Sequence, residues 1–136
     1  MSDGRMLFNL LGVNNEAVEN RVCLPMAESV ENRIGGMHAA AQFALAEMGC
    51  IDFLKKQFPK NINKAVVLVH RAEIKYSRPA VSTLVAFPYF DDVDFERLLA
   101  RFKSKKPVIV PVNVKLKTEA GEVTTHAVYH WYIALR

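Results

Sequence analysis

Residues His38 to Gly49 read HAAAQFALAEMG, a run of small and apolar side chains with one carboxylate, Glu47, near its middle. From Met37 to about Phe58 alanine and leucine dominate, β-branched residues are almost absent and Pro59 marks a stop, which predicts the longest helix of the chain. Residues Ala39 to Ala41, Phe43 to Ala46, Met48, Cys50, Ile51, Phe53 and Leu54 leave this helix no continuous polar face. A helix that is apolar around its circumference is buried on nearly all sides. Its alanines let other backbone approach closely, so a strongly curved sheet is expected to wrap it.

The flanking segments supply that sheet. Residues 4 to 12 read as a short amphipathic lead-in helix within residues 1–19, and Asn20 to Val30 as an opening strand that Pro25 pushes toward an edge or a bulge. After the central helix the period changes to two. In Ala65 to Tyr76 one face carries Val66, Leu68, His70, Ala72, Ile74 and Tyr76, and the other Val67, Val69, Arg71, Glu73 and Lys75. Val81 to Tyr89 continues as strand after the Ser77-Arg78-Pro79 corner. Asp92 to Lys103 reads as an amphipathic helix with an acidic start and a basic end. Val108 to Thr118 and Glu122 to Leu135 close the chain as two long strands around the Ala120-Gly121 turn. One long helix followed by consecutive antiparallel strands gives an α+β class of about five strands, in one domain spanning residues 1–136.

Composition excludes several functional classes. The 136 residues are 51% hydrophobic with a formal net charge of +4, ordinary for one globular domain and mildly basic. Such a charge suits a phosphate-bearing small ligand as well as it suits nucleic acid. No segment reaches the ~18 apolar residues of a membrane span, and Met1 to Arg5 does not resemble a secretory leader, so a cytoplasmic protein is expected. Cys23 and Cys50 form no CxxC pair and read as buried, reduced thiols. No metal site or cofactor is expected, because His70, His126 and His130 have no H-E-x-x-H or CxxC companion. G-x-S-x-G, Walker and G-x-G-x-x-G motifs are absent too. The cations Arg97, Arg101, Lys103, Lys105 and Lys106 could meet phosphates, though they also read as a solvated helix end.

Asn32, Gly35, His38, Phe43, Leu45, Ala46 and Glu47 stand in the spacing N-x-x-G-x-x-H-x-x-x-x-F-x-L-A-E. This pattern resembles the hot-dog fold acyl-CoA thioesterases, in particular the phenylacetyl-CoA and hydroxybenzoyl-CoA thioesterase-like branch, from about residue 20 to the C-terminus. Ile74 to Pro79 is similar to that family's strand ending in an Arg-Pro corner, which brings Arg78 to the substrate side. Two departures stand out: Glu47 replaces the family's usual aspartate, and Ala39-Ala40 replaces Gly-Gly after the histidine. The resemblance implies hydrolysis of an acyl thioester of coenzyme A or acyl carrier protein. It also implies homodimers joined edge to edge, often paired into homotetramers, with sites at the subunit interface, and no nucleic acid or membrane partner.

The residues admit their own chemistry. A carboxylate within a buried helix needs a partner or a task, and desolvation raises its pKa toward the range of a general base. Glu47 would activate water against the thioester carbonyl or attack it directly; pairing with a cation from a strand is the structural alternative. The first amides of the helix, from Met37 to Ala40, lack intrahelical partners and are candidates for an oxyanion hole. Gly35 and Gly36 would admit the carbonyl, Asn32 would hydrogen-bond it or the water, and Met37 and Ala39 would line the approach. His38 would assist binding or merely cap the helix. A non-catalytic acyl-CoA binding module and a hot-dog dehydratase or hydratase are the alternatives; the H-F-P-G type segment expected of the latter is missing. Nine residues from His38 to Glu47 make about 900° of rotation and ~13.5 Å of rise, so a straight helical count puts the two on opposite sides. A site using both the helix N-terminus and Glu47 is then expected to draw on two chains.

Overall fold

The structure, a computed structural model, describes residues 4–15 and 20–136. The remaining part of the expected lead-in, residues 1–3 and 16–19, lies outside the described residues. Five antiparallel strands lie in the order β1-β3-β4-β5-β2: β1 Cys23–Leu24, β2 Val66–Tyr76, β3 Leu84–Tyr89, β4 Val108–Thr118 and β5 Val123–Ala134. The helices are α1 Met6–Leu11, α2 Ala39–Gln57 and α3 Phe95–Lys103. The α+β class and the wrapped central helix are as the sequence predicts.

Helix α2 runs 19 residues, or about 28 Å, and starts where His38 takes extended dihedrals and caps it, Nδ1 accepting from the Ala40 N–H at 3.2 Å. It stops at Phe58 because a residue before proline is disfavoured in the α region. Ala41, Ala44, Leu45, Ala46, Cys50 and Leu54 are buried, so the sheet encloses more than one face. The mid-helix Gly49 marks the closest approach: a Cβ there would stand 2.7 Å from the Ala86 Cβ on β3. The alternation of β4 places Val108, Val110, Val112, Val114 and Leu116 in the core beside Tyr129, Trp131 and Ile133 of β5. Both cysteines are free and buried.

Three expectations need correction. The opening strand shrinks to Cys23–Leu24, paired with Leu84 and Val85, because Pro25 offers no N–H to continue the ladder and the chain turns into a 3₁₀ turn at Glu28–Val30. Strand β3 starts at Leu84, leaving Val81 68% exposed. The predicted faces of β2 do not persist along the strand: its register shifts between Val69 and Arg71, and one extra residue moves the alternation to the other face. Val67 and Val69 pack on the core before the bulge, and Ala72 and Ile74 after it, while Leu68 is 60% exposed. Strand β2 pairs with β5 on one side only, so its other edge is unpaired among the described residues.

Candidate active site

The approach to α2 is built by Asn32. Its Oδ1 accepts from the N–H groups of Ile34 at 3.0 Å and Gly36 at 2.9 Å, and its own N–H donates to the Gly36 carbonyl at 2.7 Å. Asparagine favours such a turn because its side chain satisfies backbone groups two residues on. Gly35 follows at φ 82°, a conformation glycine adopts without a Cβ penalty. At Gly36 a Cβ would come within 3.3 Å of the Ala80 carbonyl. The Asn32 oxygen is therefore committed to the loop, and only its Nδ2 remains to donate to a ligand.

The helix start is also less open than a bare N-terminus. The Met37 N–H donates to Ala80 O at 2.6 Å, the His38 N–H to Val30 O at 2.7 Å, and the Ala40 N–H to the His38 ring. Of the four amides from Met37 to Ala40, that of Ala39 alone has no partner among the described residues. The oxyanion donor expected somewhere in this turn thus narrows to Ala39. Ala39, Asn32, Gly36, Met37 and Arg78 line one cavity of about 430 Å³. Gly35 is not in its wall; it shapes the loop. Arg78 is exposed and paired with Glu122 at 3.1 Å. The wall also holds Tyr76 and Gln42, which sequence reasoning missed. Gln42 is 4% exposed; its Nε2 donates to Met37 O and its Oε1 accepts from Thr125, which ties the first turn of α2 to β5. The signal was a lone polar residue inside an alanine run.

Glu47 lines a different cavity of about 360 Å³ with Leu7 and Leu11 of α1, Val30, His38, Phe43 and Ala44. No hydrogen bond or ion pair reaches its carboxylate from the described residues, so the strand cation of the structural alternative is not there. Half-burial alone raises its pKa above the usual carboxylate value of 4.5. The straight helical count fails for His38. Its backbone dihedrals, φ −59° and ψ 138°, place it outside the helical rotation, and His38 lines the Glu47 cavity. No hydrogen bond joins the two. Asn32 and Glu47, by contrast, share no cavity.

Two tyrosines fix the helix between these cavities. Tyr76 Oη donates to Ala39 O at 2.9 Å and Tyr129 Oη to Phe43 O at 2.7 Å, one turn apart on the stripe that continues to Glu47. Burial raises the pKa of both phenols, and for Tyr129 the neighbouring Cys50 and Glu47 raise it further. Burial also pushes the Cys50 thiol up to about 12, so it is inert as a nucleophile. The described residues hold no cluster of three metal-ligating side chains, and none of their helices is long and apolar enough to cross a membrane. The basic cluster at the end of α3 is exposed, with Arg101 donating to Pro107 O at 3.1 Å.

A curled antiparallel sheet closed around one long helix, here β1-β3-β4-β5-β2 around α2, is the hot-dog fold. The chain belongs to the family described as domain of unknown function DUF4442, whose model matches residues 12–133. Among solved structures it is similar to a Pseudomonas aeruginosa protein of unknown function described as a probable thioesterase, with 22% identity, 98% of this chain and 91% of that chain covered, and a TM-score of 0.79. It is similar to a Bacillus halodurans protein solved with CoA, at 17% identity over 93% of this chain and 74% of that one, with a TM-score of 0.71. A mutant thioesterase from Staphylococcus aureus matches at 15% identity over 94% and 98% of the two chains, with a TM-score of 0.67. At these identities the likeness is one of fold. No curated protein matches the chain.

Proposed function

We propose that the protein hydrolyses an acyl thioester, carried on coenzyme A or an acyl carrier protein, with Glu47 as general base or nucleophile. One observation carries this reading: a half-buried carboxylate of raised pKa stands in a cavity with no partner for its charge among the described residues. A group kept so has little structural use and suits proton abstraction or attack near neutral pH. Similar folds described as thioesterases, and one solved with CoA, support it.

The oxyanion donors of this mechanism are the Ala39 N–H and the Asn32 Nδ2, both on the other cavity. A two-fold dimer would bring the Asn32 half of one chain to Glu47 of its partner and create two identical sites. The edge of the 11-residue β2, unpaired among the described residues, supports this, since a long exposed edge is a template for pairing with a second chain. A homotetramer of two such dimers is compatible with the same arrangement. In this reading Arg78, which lines the Asn32 cavity, leaves Glu122 to meet a phosphate of the substrate.

A second reading, a non-catalytic acyl-CoA binder, is favoured by the commitment of Asn32 Oδ1 and three of the four N-terminal amides to the protein itself. Release of free thiol from a panel of acyl-CoAs, by wild type and Glu47→Gln, separates the two. Turnover by wild type that falls about 10²-fold or more in the variant supports hydrolysis. Tight binding with no turnover on any acyl group supports the binder.

A further inference from the structure

We infer that Leu7 and Leu11 of α1 set the length of the acyl chain the Glu47 cavity accepts, and that this chain is an uncharged aliphatic one. The inference rests on the reading of Glu47 as the thioester site and goes on to name the acyl class. The cavity is open because its helical wall is made of small residues, Ala40, Ala41 and Ala44. Its opposite wall is α1, where Leu7 and Leu11 are spaced i, i+4 and so share one face. Val30 and Phe43 extend this mostly apolar lining, whose polar members besides Glu47 are Ser29 and His38 and which contains no lysine or arginine.

Among the described residues Glu47 is the one acidic group in that lining, and the Nδ1 of His38 is taken up as acceptor by the Ala40 N–H. An acyl chain ending in a carboxylate would therefore meet a like charge with no lysine or arginine to offset it. A saturated chain needs nothing but the apolar wall. Helix α1 is held by Phe8, 6% exposed, which packs in the core and sets the distance of the two leucines from α2. Leu7, at 60% exposed, stands at the rim, and Leu11 is the more enclosed of the two. Leu10, 74% exposed on the same helix, does not line the cavity and provides an internal control.

Burial of each methylene strengthens binding about fourfold until the cavity is full. The test uses non-hydrolysable S-alkyl thioethers of coenzyme A in a series of increasing chain length, bound to the full chain and measured by calorimetry. Wild type should gain about fourfold per methylene and then level off. Leu7→Trp, a change at an exposed rim position that the fold tolerates, should bring the plateau to a shorter chain and weaken the longest analogue about tenfold or more. It should leave free coenzyme A unchanged. Leu11→Ala should move the plateau to a longer chain, and Leu10→Trp should leave the profile where it was. A profile unmoved by both Leu7→Trp and Leu11→Ala overturns the inference, as does stronger binding of an analogue ending in a carboxylate. If neither coenzyme A nor any analogue binds wild type, the thioester reading falls with it. Binding of coenzyme A with no dependence on chain length overturns only the acyl-wall inference.

Discussion

The hydroxyl of Tyr129 donates to the carbonyl oxygen of Phe43 at 2.7 Å, so a residue of the last strand holds the helical turn that presents Glu47. In the helical pattern that carbonyl also receives the Glu47 N–H. Tyr129→Phe keeps the buried ring and its packing on Phe43 but removes this bond. The expected cost is about 1 kcal/mol, seen as a melting temperature lower by a few degrees. Turnover should fall with KM little changed, because the substrate walls stay in place. An unchanged melting temperature and unchanged turnover would show that the bond contributes nothing.

Gly49→Ala weighs two opposed effects. Alanine is the better helix former by up to about 1 kcal/mol, but its Cβ would lie 2.7 Å from that of Ala86 on β3. Neither atom is the end of a flexible side chain, so helix and sheet must separate, at about 1–3 kcal/mol. Net destabilisation is expected in chemical denaturation, with the midpoint reduced and the slope unchanged. A stabilised variant would mean that the contact relaxes freely.

The central helix and β4 were legible because their causes are local. An alanine-rich run with almost no β-branching favours helix, and five alternating valine and leucine positions favour a strand with one buried face. The bulge at His70 was not legible, since Val69-His70-Arg71 carries no glycine or proline to mark an extra residue; the pairing with β5 imposes it. The motif from Asn32 to Glu47 and the helical count pointed to a helix start divided from Glu47, yet put His38 on the wrong side of that division. That depends on His38 leaving the helical rotation and on how the loop from Asn32 folds. Asn32-Arg33-Ile34-Gly35 is turn chemistry and its use of Oδ1 could have been read from sequence. The contribution of Leu7 and Leu11 could not, because it needs the docking of α1 across the chain.

Burial raises the pKa of Glu47, and the sign of its consequences follows. If Glu47 is the base, as proposed, it must be ionised, so kcat/KM should rise with pH through an acid limb lying above the ordinary carboxylate value of 4.5. For stability the folded chain holds its proton more tightly than the unfolded one. Stability contributed by this group is therefore present below the unfolded pKa and lost as pH rises through the folded one. Glu47→Gln should melt higher than wild type at neutral pH, with the gap closing in acid. A variant less stable than wild type at neutral pH would return Glu47 to a paired structural role.

Added coenzyme A should raise the melting temperature, since a ligand that binds only the folded state stabilises it by mass action, by about 2.7 kcal/mol at a hundred times Kd. Removing the Arg78 charge as Arg78→Gln should reduce that shift and leave the ligand-free melting temperature nearly unchanged, because its pair with Glu122 is exposed. No shift at millimolar coenzyme A would count against both the enzyme and the binder.

The proposed site shared between two chains is tested most directly by complementation. Asn32→Asp keeps the oxygen that holds the loop and removes the Nδ2 donor, while Glu47→Gln removes the base. Each homodimer should be nearly inactive. A mixed dimer, confirmed by mass after joint refolding, has one interfacial site with both residues intact and one with neither. It should recover about half the wild-type rate per dimer if the two sites act independently. A mixed dimer as inactive as its parents would contradict a site built from Asn32 of one chain and Glu47 of the other.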